Sequence, residues 1–112
     1  MLPVQFKIDN LKRLFCKLIE ILESNNTGEI DYQISNVKYI IQLLNKTIKD
    51  GYIDSDNVIN EIKSIHKKLY PPRGGLSDFF IWRSDFDERV KANELFEEIS
   101  DELWKILQQE KN

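Results

Sequence analysis

Tyr70-Pro71-Pro72-Arg73-Gly74-Gly75-Leu76-Ser77-Asp78-Phe79-Phe80-Ile81-Trp82-Arg83 interrupts a chain that otherwise reads as repetitive amphipathic helix. The stretch holds two of the three prolines, two of the four glycines and one of the two tryptophans. Pro71-Pro72 must stop a helix, because proline lacks the amide donor and the residue before it avoids the helical region. Gly74-Gly75 permits backbone angles that other residues avoid. Leu76 to Trp82 reads either as a short helix capped by Ser77 or as an irregular, strand-like segment. In both cases its aromatic side chains must bury against the helices or await a partner.

On either side the spacing is helical. Ile8, Leu11, Phe15, Leu18 and Leu22 recur at three and four residues, with Leu14 and Ile21 widening the stripe. This helix begins at Asp9 or Asn10, or nearer Pro3, and ends at the turn residues Ser24-Asn25-Asn26-Thr27-Gly28. Ile30, Ile34, Val37, Ile41, Leu44 and Ile48 repeat the device. Gly51 then fits the position just past a helix end, where a left-handed backbone costs glycine little. Asp54-Ser55-Asp56-Asn57 offers N-caps for a third helix carrying Val58, Ile62, Ile65 and Leu69. Ser84-Asp85-Phe86-Asp87 caps the last, which carries Ala92, Phe96, Ile99, Leu103 and Ile106. Trp104 and Leu107 flank that stripe, and the tail from Gln108 is expected to fray. Tyr39, off its helix's stripe, is placed to cover a neighbour. The expectation is all-α: a single-domain antiparallel four-helix bundle over residues 1–112, with an irregular Pro/Gly/aromatic connection before the last helix. That connection allows either a crossover or a plain hairpin.

The totals exclude several classes. A chain of 112 residues is one domain, and 41% hydrophobic with 31% charged residues describes a folded protein rather than a disordered one. The formal charge of -3 disfavours a general nucleic-acid or membrane-surface role. Cys16 is alone, so no internal disulfide forms and a free, inert thiol is expected. No run approaches the roughly 20 apolar residues that span a bilayer. The chain is expected to be cytoplasmic and to use no cofactor.

Two constellations stand out. From Asp85 to Glu102 the last helix carries eight acidic residues and two basic ones. At about 100° per residue, Asp87, Glu94, Glu98 and Asp101 share one ridge opposite the apolar stripe. Such a ridge is either a solvated face or a docking face for a basic partner, whose approach it would steer. The second constellation is the Pro71–Arg83 connection. It is either a structural corner or a binding lip with Arg73, Asp78, Trp82 and Arg83 as contacts, since Trp and Arg are enriched at interface hot spots. Pro-Pro-Arg-Gly-Gly is not a phosphate loop. His66, Ser77 and Asp78 are residue types for nucleophilic catalysis, but nothing in their spacing joins them. One Cys and one His exclude a zinc site, and Lys63 stands where a bundle metal motif needs Glu. Lys63, His66, Lys67, Lys68 and Arg73 cluster in sequence as a small basic patch, which the acidic last helix opposes.

With the Tyr70–Trp82 stretch followed by Arg89, Asn93 and Glu102-Leu103-Trp104, the chain resembles a family of small bacterial helical proteins. Their pattern is an apolar helix leading into a Gly-Gly-Leu-x-Asp turn, then aromatic residues and a last helix ending in Leu-Trp. Proteins of this kind resemble immunity proteins encoded beside secreted or contact-delivered toxins. The resemblance covers the C-terminal part from about Tyr70 on and brings no catalytic residues. It implies a non-enzymatic protein that binds a cognate toxin domain. That domain would be a basic nuclease if the acidic ridge mimics nucleic acid. The alternative is a small module that self-associates or docks on another helix.

Overall fold

The computed structural model describes residues 3–108. Its helices are α1 (Val4–Ser24), α2 (Asp31–Lys49), α3 (Ser55–Lys68) and α4 (Phe86–Leu107), with one 3-10 turn over Gly75–Ser77. They form an antiparallel four-helix bundle with extents of 46 × 26 × 26 Å. The directions follow from bonds between helices. Lys38 on α2 pairs with Glu23 at the end of α1 at 3.2 Å. The Tyr39 hydroxyl donates to Glu61 of α3 at 2.8 Å, so Tyr39 does cover its neighbour. Gln108 reaches the Lys63 carbonyl at 3.1 Å while Trp104, one turn earlier, lies against His66 and Tyr70, so α4 runs antiparallel to α3. The long connection is thus a plain return.

α1 is the central staff. Ile8, Leu11, Leu14, Phe15, Leu18 and Leu22 are all fully buried, and α1 packs on each of the other three helices. It begins at Val4, directly after Pro3, whose fixed φ suits a helix start. α2 ends in a Schellman motif. Gly51 adopts φ 77°, its amide donates to Ile48 at 3.1 Å, and the Tyr52 amide donates to Thr47 at 2.9 Å. α4 begins at Asp85, whose carboxylate accepts from the Glu88 amide at 2.9 Å. The acidic stretch opening the last helix is therefore also its cap.

The structure shifts three expected stripes. On α2 Ile40 and Thr47 are buried beside Val37 and Leu44, while Ile41 and Ile48 are half-buried at the flank. On α3 His66 is fully buried and Ile65 only partly so. On α4 Leu107 is in the core and Ile106 beside it. Each shift exchanges adjacent residues, which stand 100° apart and compete for the same face. Gln108, expected to fray, is bonded to α3; the tail beyond it, 109–112, lies outside the described residues. Cys16 is half-buried and free.

Candidate partner-binding surface

The connection is built as a tight corner followed by an extended lip. After α3 the chain turns at Pro71 and closes on itself, the Leu76 amide donating to the Leu69 carbonyl at 2.9 Å. Ser77 donates to the Pro71 carbonyl at 2.6 Å instead of capping a helix. The Asp78 carboxylate accepts from the Gly74 amide at 2.6 Å. Gly75 is needed for space as well as for its φ of 55°. A Cβ there would stand 2.7 Å from Pro71 Cδ, 2.8 Å from Gln33 Nε2 and 2.9 Å from the Leu69 carbonyl oxygen. The corner is thus pressed onto α2 through the buried Gln33.

From Phe79 to Arg83 burial alternates, as along an extended strand. Phe79 packs edge-on against Phe96 with centroids 5.0 Å apart, and Ile81 is buried. Phe80 and Trp82, the intervening residues, are exposed, Trp82 to 67%. Asn93 of α4 holds the segment down. Its Oδ1 accepts from the Ile81 amide and its Nδ2 donates to the Ile81 carbonyl, both at 2.9 Å. One side chain thereby supplies what a neighbouring strand would supply to one residue.

Beside this lip, the Arg89 guanidinium lies 4.5 Å from the centre of the Trp82 ring and 5.4 Å from that of Phe86. Such a stack is worth about 0.5–1 kcal/mol at an exposed site. It holds two large aromatic rings at the surface, since Phe86 is as open as Trp82. Arg83 is half-buried and donates to the Trp82 carbonyl at 2.8 Å. Arg73 is exposed. Of the four expected lip residues, Trp82 and Arg73 are thus open, Asp78 serves the turn, and Arg83 braces the lip. Phe86 and Arg89 are parts of this surface that the sequence reading did not assign. Their i, i+3 spacing at the helix start was the available signal.

The acidic ridge lies where the spacing put it. Asp87, Glu94, Glu98 and Asp101 are all exposed, opposite the buried Phe96, Ile99 and Leu103. None of the four forms an ion pair among the described residues; Glu102, at the flank, pairs with Arg13 at 3.8 Å. Lys91 and Lys105 interleave the ridge without pairing to it.

His66 is sealed inside the bundle. Phe15, Tyr70 and Trp104 surround its ring at centroid distances of 6.4, 5.3 and 5.8 Å. Gln108 Nε2 lies 3.1 Å from Nδ1 and donates at the same time to the Lys63 carbonyl. An amide nitrogen only donates, so Nδ1 accepts and the imidazole proton sits on Nε2. Nε2 has no hydrogen-bond partner among the described residues. Burial lowers the His66 pKa from 6.5 to about 4, so the ring is neutral near pH 7. Burial also raises the Tyr70 phenol, with Ser100 opposing and the Asp101 charge adding to the rise. His66 therefore belongs neither to the exposed basic patch of Lys67, Lys68 and Arg73 nor to any set with Ser77 and Asp78, which are engaged at the exposed corner. Among the described residues no group of three His, Cys, Asp or Glu could hold a metal ion, and no helix is long and apolar enough to cross a membrane.

No family model, curated protein or solved structure matches the chain.

Proposed function

We propose that the protein is a non-enzymatic immunity protein that acts in the bacterial cytoplasm by binding and neutralising a cognate toxin domain. The observation that carries the reading is the α4 surface. A ridge of unpaired carboxylates, Asp87, Glu94, Glu98 and Asp101, runs back from the helix end where Trp82 and Phe86 are held open by Arg89. Aromatic anchors next to a predominantly acidic face are the parts of a steered protein interface: the rings supply contact area and the charge supplies on-rate. Charge complementarity makes the partner basic, as a nuclease domain is. The resemblance of the Gly-Gly-Leu-x-Asp turn and Leu-Trp helix to immunity proteins agrees with this assignment.

The test is capture in the native host. A tagged protein, recovered at low salt, should bring down one stoichiometric partner with a basic toxin-like domain, released as salt rises. The triple variant Glu94→Lys, Glu98→Lys, Asp101→Lys should lose that partner and fail to protect cells. If protection and capture survive the triple reversal, the acidic-face mechanism is wrong. A second reading, a self-associating module, draws on the exposed Phe80, Trp82 and Phe86. Recovery only as a concentration-dependent oligomer would favour it.

A further inference from the structure

The α1–α2 turn and the Gly74–Phe80 loop face each other across a cleft of about 370 Å³, separate from the α4 ridge. This lies in the lower part of the roughly 300–1,000 Å³ range of small-ligand pockets and suits one long side chain. Two of its lining residues, Glu29 and Asp78, are carboxylates, and none is basic. Glu29 is exposed and makes no hydrogen bond or ion pair among the described residues. Asp78 commits one oxygen, Oδ2, to the Gly74 amide. Phe80 provides an exposed aromatic wall, and Thr27 and Asn25 supply polar atoms at the rim. Gly74 keeps the loop side bare: at φ 77° and ψ -163° it occupies backbone space essentially reserved for glycine, and a Cβ there would meet nothing within 4 Å.

We infer that this cleft is a socket for one basic side chain, arginine or lysine, presented by the protein partner. The inference rests on the binding reading above and deepens it. The chemistry is that of a cation with an apolar stem. The head meets carboxylates that have spare lone pairs, and the stem and charge both find favourable contact on an aromatic ring. A bare metal ion is the poorer occupant, because only two carboxylates line the cleft and one of them already accepts from the Gly74 amide. The backbone beside the socket also suits a protein partner. The amide and carbonyl of Phe80 and the amide of Trp82 make no hydrogen bond among the described residues, so an extended partner segment could pair with them while its side chain enters the cleft.

The experiment titrates the intact protein with N-acetyl-arginine amide and follows backbone amide resonances. N-acetyl-citrulline amide, of nearly the same shape without the charge, is the control. Saturable shifts confined to Glu29, Gly74, Gly75 and Phe80, absent with citrulline and weakened several-fold in Glu29→Gln, are the expected result. Glu29→Gln touches no contact of the fold, so its resonances elsewhere should stay in place. Equal shifts from citrulline, shifts along the α4 ridge instead, or no saturation would each overturn the socket. Its failure is distinguishable from that of the immunity reading: if Glu29→Lys still captures and neutralises the toxin while the α4 triple reversal does not, the socket falls and the immunity reading stands.

Discussion

His66 is held with its charge withheld, and that has a sign in pH. Its unfolded pKa is near 6.5 and its folded pKa about 4. Between those values the unfolded chain binds more protons, so stability rises with pH. The contribution is complete above the unfolded value, declines as pH falls through 6.5 and is lost by pH 4. The full shift corresponds to on the order of 3 kcal/mol, a large share of the 5–15 kcal/mol typical of a domain. Urea denaturation at pH 7.5 and pH 4.5 should show this loss, and it should be much smaller in His66→Leu. An identical pH dependence in that variant would place the acid sensitivity elsewhere. At the same scale the two corner glycines differ. Gly74→Ala meets only backbone strain, about 1–3 kcal/mol. Gly75→Ala meets that strain and three contacts under 3 Å, two of them on Pro71 and the Leu69 carbonyl. Thermal denaturation should rank Gly75→Ala as clearly the more destabilised. Equal midpoints would show that the corner can yield.

At the scale of elements, Asn93 is the fastening between α4 and the lip. Asn93→Ala leaves the Ile81 amide and carbonyl without their partner, at about 1–3 kcal/mol for each buried group left unmade. Hydrogen exchange should show the Ile81 amide losing protection while the centre of α1 keeps it. If Ile81 stays protected, another group holds the segment. The four helices, the α2 glycine stop and the Asp85 cap were legible in the sequence, because each depends on local periodicity or on one residue's backbone preference. The phase within α2 was not. Ile40-Ile41, Leu43-Leu44 and Thr47-Ile48 are doublets in which either member can lead the stripe. Thr47 wins a core place by donating its hydroxyl to the Leu43 carbonyl at 2.8 Å, which removes the cost of burying it. His66 displaced Ile65 for a similar reason: Gln108, expected to fray, satisfies its Nδ1. Contacts between residues 42 positions apart leave no periodic trace. The lip divided in the same way. Its exposed Trp82 was nameable from residue type, whereas the Asn93 clasp that exposes it exists only once α4 is folded back.

At the scale of the whole molecule, the acidic ridge allows function and stability to be separated. Glu94/Glu98 and Glu97/Asp101 are like-charge pairs at i, i+4, each costing about 0.2–0.5 kcal/mol on a helix surface. Reversing Glu94, Glu98 and Asp101 to lysine turns the 97/101 and 98/102 spacings attractive, while the 94/98 pair stays like-charged and position 101 turns repulsive toward Lys105, so the balance is slightly favourable. The triple variant should therefore melt at the same temperature as the parent or slightly above it. Electrostatic steering changes association rates by roughly 10- to 1,000-fold, so binding of the proposed partner should slow by a factor in that range at low salt and by less at high salt. The two measurements decide together. An unchanged melt with slowed association marks carboxylates kept for a partner against the interest of the fold. A drop of more than about 1 kcal/mol in stability would mean the ridge supports the helix in a way its exposed positions do not reveal. An unchanged melt with unchanged association would reduce it to a solvated face, leaving Trp82 on the lip and Phe86 and Arg89 on α4 as the anchors for a partner to use.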